Sequence, residues 1–335
     1  MSTWEATVQY RTIGRSGLKV STLGLGTGSA TFCGRLERDE ALDLIREAVD
    51  LGVTYFDTAE TYAEGRAEEL LGAALAGRRD EVVLATKFGK DRSVPVSEQP
   101  GSRRRIMAAA EGSLRRLGTD RIDLYILHEP DPVTPIEETL GALDDLVRVG
   151  KVRYIACSEF AAWQLCEALW TSRVERLASF ISVGAHYNLL DRGHDELRAC
   201  ARAYGVGLVA TAPLAGGFLT GKYERGLTLA ADTRYGAVPR WAGPQYRDIT
   251  RYAPQLSETR FAALDRVRQF ADERAVSVAA VGLAWLRAHE EIAVVPVGVT
   301  SAEQLRRNVL DLEWSITADE FTALEALVCP LEPPE

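Results

Sequence analysis

Between Val20 and Val299, short apolar runs alternate with amphipathic stretches about a dozen residues long, the pattern of buried parallel strands joined by helices. The runs are Ser21–Leu25, Tyr55–Asp57, Val82–Thr86, Ile122–His128, Val152–Cys157, Phe180–Val183, Gly207–Ala210 and Ile292–Val295. Helical spacing of apolar residues marks Asp39–Leu51, Glu64–Leu75, Arg103–Leu117, Ile136–Val149 and Glu196–Tyr204. Gly52, Gly77, Gly118, Gly150 and Gly205 stand where these helices should end. Eight such units without a Pro/Gly/Ser-rich linker predict an α/β fold, a single closed (β/α)8 TIM barrel spanning residues 1–335. A doubly wound sheet is the competing architecture, and would place a phosphate loop at Gly24-Leu25-Gly26-Thr27-Gly28-Ser29. The third glycine of G-x-G-x-x-G falls on Ser29, so that fingerprint fails.

Two segments stand outside the repeat. Tyr10–Val20, with Gly14-Arg15-Ser16-Gly17 in its middle, reads as an N-terminal β-hairpin that closes the bottom of the barrel. Residues 223–257, after the seventh strand, hold several prolines and glycines together with Arg234, Tyr235, Arg240, Trp241, Tyr246 and Tyr252. A loop of that length in a compact domain is functional or disordered, and its aromatic and arginine content favours a lid.

Composition narrows the function. The chain has 335 residues, 46% of them hydrophobic, enough for one large core. Lys and Arg number 39 against 48 Asp and Glu, a net charge of −9, so neither nucleic acid nor an anionic membrane is an expected partner. An anionic ligand must be met by local positive charge. Met1–Tyr10 lacks the basic-then-apolar pattern of a signal peptide, and no apolar run approaches the roughly 18 residues of a membrane helix. The expectation is a cytoplasmic protein, compatible with an oligomer. Cys33, Cys157, Cys166, Cys200 and Cys329 are odd in number without a Cys-x-x-Cys pair, and read as reduced thiols with no metal or redox role.

In such a barrel, chemistry gathers at the C-terminal ends of the strands. Asp57 ends Val53-Thr54-Tyr55-Phe56, Lys87 follows Val82–Thr86, and His128 follows Ile122–Leu127; Tyr62 lies on the loop five residues past Asp57. Each alone has an ordinary structural reading: a helix cap for Asp57, rim packing for Tyr62, snorkelling for Lys87, a satisfied core histidine for His128. Their joint placement at one mouth favours a catalytic set. Hydride transfer to a carbonyl puts negative charge on oxygen, which needs a proton donor within reach. A phenol with its ordinary pKa of about 10 is a poor donor at neutral pH, and a neighbouring ammonium improves it. Lys87 would supply the ammonium, Asp57 would hold it, and His128 would orient the carbonyl.

Beyond these residues, the chain resembles the aldo-keto reductases over about residues 10 to 328. The resemblance rests on Leu23-Gly24-Leu25-Gly26-Thr27, Phe56-Asp57-Thr58-Ala59-Glu60-Thr61-Tyr62, Ala85-Thr86-Lys87, the stretch from Ser113 to Tyr125, and that from Pro213 to Tyr223. Within the family it is similar to the bacterial branch that includes deoxysugar ketoreductases, through Glu111–Gly118 and Trp163. The resemblance places the family's catalytic tetrad on Asp57, Tyr62, Lys87 and His128. It implies NADP(H), with NAD(H) as the alternative, lying across the barrel mouth, and a small carbonyl or alcohol as substrate. The implied cofactor contacts are Gly26, Thr27 and Asp57, then Ser158, then Ala212, Pro213, Leu214, Gly216, Gly217 and Lys222. Gly298, Thr300, Gln304, Arg307 and Asn308 would take the adenosine end at a helix N-terminus. Arg307, helped by Arg234 from the lid, would meet the 2′-phosphate, unless Arg306-Arg307 is only a solvated helix face. Trp241 would join Tyr62 and His128 around the substrate.

Four positions near the implied nicotinamide depart from the family pattern. Gly28 stands where an aromatic is common, Glu159 for Asn, Gly184 for Gln, and Thr211 for the stacking aromatic. Two readings follow: a site widened for a bulky natural product or sugar, or a regulatory protein with weakened turnover. His186 shares a strand face with Gly184 and would refill some of the space, or is simply structural. Arg103-Arg104-Arg105 reads as a charged helix start rather than an anion site, and His194, Trp285 and His289 suggest no function.

Overall fold

The computed structural model describes residues 8–28, 32, 35–90, 99–226 and 256–328. An antiparallel hairpin, β1 (Tyr10–Thr12) and β2 (Lys19–Ser21), precedes eight strands that alternate with helices. These are β3 (Leu23–Gly26), β4 (Tyr55–Asp57), β5 (Val83–Phe88), β6 (Ile122–Leu127), β7 (Val152–Ser158), β8 (Phe180–His186), β9 (Gly207–Thr211) and β10 (Ile292–Val297). They close into a parallel barrel in the order β10-β3-β4-β5-β6-β7-β8-β9, as the strand–helix alternation predicts. Around it run α1 (Arg38–Asp50), α2 (Arg66–Ala74), α3 (Arg103–Leu117), α4 (Ile136–Arg148), α5 (Ala162–Glu175) and α6 (Asp195–Tyr204). The circuit is completed by α7 (Glu258–Asp272), α8 (Val278–Arg287), α9 (Ala302–Leu310) and α10 (Ala318–Leu327). No helix among the described residues is long and apolar enough to cross a membrane.

The two-residue period of the strands divides the apolar residues into two cores. Phe56, Leu84, Tyr125, Leu127, Ile155, Cys157, Leu208 and Ala210 point outward and pack on the helices. Tyr55, Ala85, Leu124, Ile126, Ala156, Val209 and Val294 point inward and fill the barrel. Ile13 and Val20 of the hairpin belong to this inner core and close its base. The hairpin turn fits against β9 so tightly that a Cβ on Gly14, which has φ +53°, would lie 2.5 Å from the Gly205 carbonyl oxygen. Arg11 then ties the hairpin to the end of α8 and the start of β10, donating to the carbonyls of Arg287, His289 and Ile292 at 2.5, 3.1 and 3.0 Å.

Most strands run past their expected ends at the mouth: β5 includes Lys87 and Phe88, β7 Ser158, β8 Gly184 to His186, and β9 Thr211. Of the expected lid, residues 227–255, with Arg234 and Trp241, lie outside the described residues. Trp285 and His289 sit in an aromatic cluster with Tyr187 and Phe321. Burial, then the Arg198 guanidinium that contacts its Nδ1 at 2.7 Å, pulls the His289 pKa down to about 4.

Candidate active site

The inward face of each strand carries an apolar residue of the inner core and, two residues on, a side chain at the mouth. Tyr55 is followed by Asp57, Ala85 by Lys87, Ile126 by His128, Ala156 by Ser158 and Val209 by Thr211. Register adds the lateral order, because Asp57 pairs with Ala85 and Lys87 with Ile126, so Lys87 and His128 each stand one inward position higher than the neighbour before. Asp57, Lys87 and His128 are all buried, and the structure brings them together with Tyr62.

Lys87 is the centre of the group. Its Nζ donates to Asp57 Oδ1, to the Thr58 carbonyl at 3.0 Å and to Tyr62 Oη at 3.4 Å, which uses the three donors of an ammonium. Burial works against the charge, but the Asp57 carboxylate and the Tyr62 oxygen outweigh it and hold the Lys87 pKa above its ordinary value. The ammonium therefore persists in a buried site, 5.0 Å from the Tyr62 ring centre. His128 is the opposite case. Burial, followed by the positive charges of Lys87 and Lys90, lowers its pKa to about 2, so it stands as a neutral imidazole against the edge of Tyr62, ring centres 5.9 Å apart.

The loop that carries Tyr62 is pinned from several sides. Thr58 and Glu60 continue the pairing with β5 through N–H bonds to the carbonyls of Ala85 and Lys87, at 2.9 and 3.0 Å. The Glu60 carboxylate accepts from Gly89 N at 3.0 Å and from Arg105 at 2.7 Å, so Arg105 at the start of α3 is an ion-pair partner here. Immediately after Tyr62 the backbone is left-handed at Ala63 (φ 49°) and Glu64 (φ 57°). Non-glycine residues in that region cost about 1 kcal/mol or more each, which the pinned loop must offset. Sequence reading missed Thr58, Glu60 and Arg105 because their partners are distant in the chain.

Across the mouth, β7, β8 and β9 present Ser158, Gly184, His186 and Thr211. Ser158 pairs with Gly184 and His186 with Thr211. A Cβ on Gly184 would lie 2.8 Å from Ser158 Oγ and 3.2 Å from its Cβ, so Ser158 occupies the space that a side chain at 184 would need. Glu159 is exposed and left-handed, with φ 59°. His186, 45% exposed by side chain, reaches Asp191 with Nε2 at 3.4 Å. Asp191 is clamped by Arg260 of α7 at 2.7 and 3.2 Å and by Asn188 at 2.8 Å; burial works the other way, but the bond to His186, then those to Arg260 and Asn188, hold its carboxyl well below the usual carboxylate range. Asn188 also donates to the Ala212 carbonyl at 3.1 Å, linking the loop after β8 to the loop after β9. Neither Asp191 nor Arg260 was visible as a site residue in the sequence.

The remaining expected contacts fall into three groups. Thr27 is buried against the end of β4, its N–H and hydroxyl both reaching the Asp57 carbonyl, with Gly26 and Gly28 partly exposed beside it. After β9, Pro213 and Leu214 lead into a tight turn with left-handed Ala212, Ala215, Gly216 and Gly217. Lys222 folds back over that turn, so that a Cβ on Gly217 would meet its Nζ at 3.0 Å. Beyond β10, exposed Gly298 leads to Thr300, whose N–H and hydroxyl meet Gln304 at 3.0 and 3.2 Å; Ser301 caps α9, where Asn308 is buried and Arg307 exposed. Arg306 pairs with Glu47 at 2.5 Å, so the two adjacent arginines have different surroundings. Beside the mouth, a groove of about 400 Å³ runs between the loop after β6 and the start of α5, lined by Leu127, Pro132, Val133, Phe160 and the exposed Trp163.

The aldo/keto reductase family model matches residues 22–328. Over 328 residues the chain is 34% identical to a probable voltage-gated potassium channel subunit beta of Oryza sativa subsp. japonica, covering 96% of this chain and 97% of the rice protein. It is also 34% identical over 311 residues to the L-glyceraldehyde 3-phosphate reductase of Escherichia coli (strain K12), covering 90% and 87%. A third likeness, 34% over 322 residues, is to the uncharacterized oxidoreductase YrpG of Bacillus subtilis (strain 168), with 92% of each covered. The chain therefore belongs to the aldo/keto reductase family of carbonyl-reducing oxidoreductases.

Proposed function

We propose that this protein reduces an aldehyde or ketone to an alcohol with NADP(H), using Tyr62 as the proton donor. The observation that carries the reading is the buried Lys87 ammonium held between Asp57 and Tyr62, next to a neutral His128. The nicotinamide supplies the hydride when bound. As negative charge grows on the carbonyl oxygen, Tyr62 gives up its proton, and the adjacent ammonium stabilises the phenolate left behind. The neutral His128 donates a hydrogen bond to the same oxygen without competing as an acid. Asp57 keeps Lys87 charged and in place.

The residues present suit a phosphorylated dinucleotide. Asp57 Oδ2 is buried without a hydrogen-bond partner among the described residues, an acceptor suited to a ribose hydroxyl. Lys222 over the Gly216-Gly217 turn offers positive charge to a phosphate, and the capped start of α9 with exposed Arg307 offers more, which favours NADP(H) over NAD(H). The substrate would lie between Tyr62, His128 and His186, and the groove beside Trp163 leaves room for a bulky tail such as a sugar or a natural product.

Tyr62→Phe is expected to lower kcat/KM by about 10²- to 10⁴-fold in a screen of NADPH oxidation with aldehydes, keto-sugars and quinones. The NADPH-induced rise in Tm should survive the substitution. Wild-type turnover in Tyr62→Phe defeats the mechanism; no Tm shift of the wild type with millimolar NADPH or NADH defeats the cofactor assignment. A second reading, a cofactor-binding regulatory protein, draws on the likeness to channel subunits and predicts the Tm shift with negligible turnover.

A further inference from the structure

The odd number of cysteines and the missing Cys-x-x-Cys pair point to isolated thiols, yet the fold brings two of them together. Cys166 lies near the start of α5 and Cys200 in the middle of α6, 34 positions apart in sequence, and their Sγ atoms are 3.1 Å from each other. That separation is shorter than an ordinary sulfur contact and about 1 Å longer than a disulfide bond, a gap that small side-chain rotations close. Both thiols are partly exposed, so a small oxidant reaches them. The neighbouring Cys157 is fully buried on β7, its Sγ against the Ser182 carbonyl at 4.0 Å.

We propose that Cys166 and Cys200 form an oxidisable dithiol that a hydroperoxide converts to a disulfide joining α5 to α6. Burial, then the hydrogen bond to Cys166, pushes the Cys200 thiol up to about 12, so Cys200 enters as the protonated partner that closes the bridge. With hydrogen peroxide, Cys166 sulfur attacks one peroxide oxygen, the O–O bond breaks, and the departing hydroxide takes up the Cys166 thiol proton as water. The resulting sulfenic acid is attacked by Cys200 sulfur, the S–O bond breaks, and the second water leaves with the Cys200 proton. Two thiols lose two electrons in all, one hydroperoxide gains them, and reduction by dithiothreitol reverses the change. The bridge encloses β8 and fixes the spacing of the helices that follow Ser158 and His186, on one half of the mouth.

The test uses the full chain treated with hydrogen peroxide. Expected is a loss of 2 Da in intact mass, a non-reducing digest that joins the Cys166 and Cys200 peptides, and a rise in Tm of about 5 °C, from closing a loop of this length in the unfolded chain. Cys166→Ser and Cys200→Ser should each abolish the joined peptide and the Tm rise, while Cys157→Ser leaves both in place. A gain of 32 Da at Cys166 without bridging overturns the proposal, as does a bridge to Cys157. A Cys166–Cys200 bridge that lowers Tm also overturns it, since the helices would then have to be forced to close it.

Discussion

Taking the protein from about pH 7.5 to about pH 5 is expected to remove about 3 kcal/mol of folding stability, through two histidines that the fold keeps neutral. In the unfolded chain an imidazole titrates near 6.5 and is almost fully protonated at pH 5. His128, with its pKa lowered to about 2 by burial and by Lys87 and Lys90, is not. The difference, RT ln(1 + 10^1.5), is about 2 kcal/mol. His289, lowered to about 4, adds about 1 kcal/mol after discounting for the part of its ring that meets solvent. The sign follows from proton counting. Below 6.5 the unfolded state binds more protons than the native state, so this stability is complete above 6.5. It is lost progressively as pH falls toward the folded values. Urea denaturation at the two pH values measures the sum, and His289→Gln should flatten the dependence by that residue's share. The chain has only four histidines, so their ring Cε1–H signals can be assigned by substitution and followed by NMR. A His128 signal that titrates with a midpoint above about pH 5, or a stability flat between the two conditions, refutes the electrostatic picture of the site.

Lys87→Met leaves a buried carboxylate unpaired and is expected to destabilise the fold by about 3–5 kcal/mol in chemical denaturation, with much of the loss recovered in Lys87→Met/Asp57→Asn. Gly184→Ala pushes on Ser158 and should raise the NADPH dissociation constant about tenfold by fluorescence titration. If the two share space, Gly184→Ala should cost little further once Ser158 is Gly, so the double variant binds like Ser158→Gly alone, and additive effects in that cycle would show that the two positions do not share space. Arg307→Ala is expected to weaken NADPH about tenfold and leave NADH unchanged; equal loss for both would remove Arg307 from the 2′-phosphate.

The barrel was legible because its strands are apolar on both faces, and helix-spaced segments separate them. The strand ends at the mouth were less so. Lys87, Ser158, Gly184, His186 and Thr211 interrupt the apolar runs, so pattern reading stopped short of Ser158, Gly184, His186 and Thr211. These positions extend the inner-face columns to the mouth, which also explains why Asp57, Lys87 and His128 could be picked out from strand ends alone. α5 shows its helical pattern weakly, because Trp163, Trp170 and Val174 face solvent. Glu60–Arg105, Asp191–Arg260 and Cys166–Cys200 could not be read at all: their partners are 45, 69 and 34 residues apart and obey no local period.

The hairpin at the base has a consequence for how the molecule is made. Arg11 finds its carbonyl partners 276 to 281 residues later in the chain, and Ile13 shares its core with Ala293 and Val294. During synthesis the hairpin emerges before the barrel strands; its turn can meet the residues at the start of β9, but the Arg11 contacts and this part of the inner core wait for β10. Sealing the base and closing the ring of strands thus become one late event, joining contacts of very long sequence separation. Until then the nascent barrel has two open strand edges and an uncovered apolar interior. That is the stage at which a chaperone would be most useful to this chain.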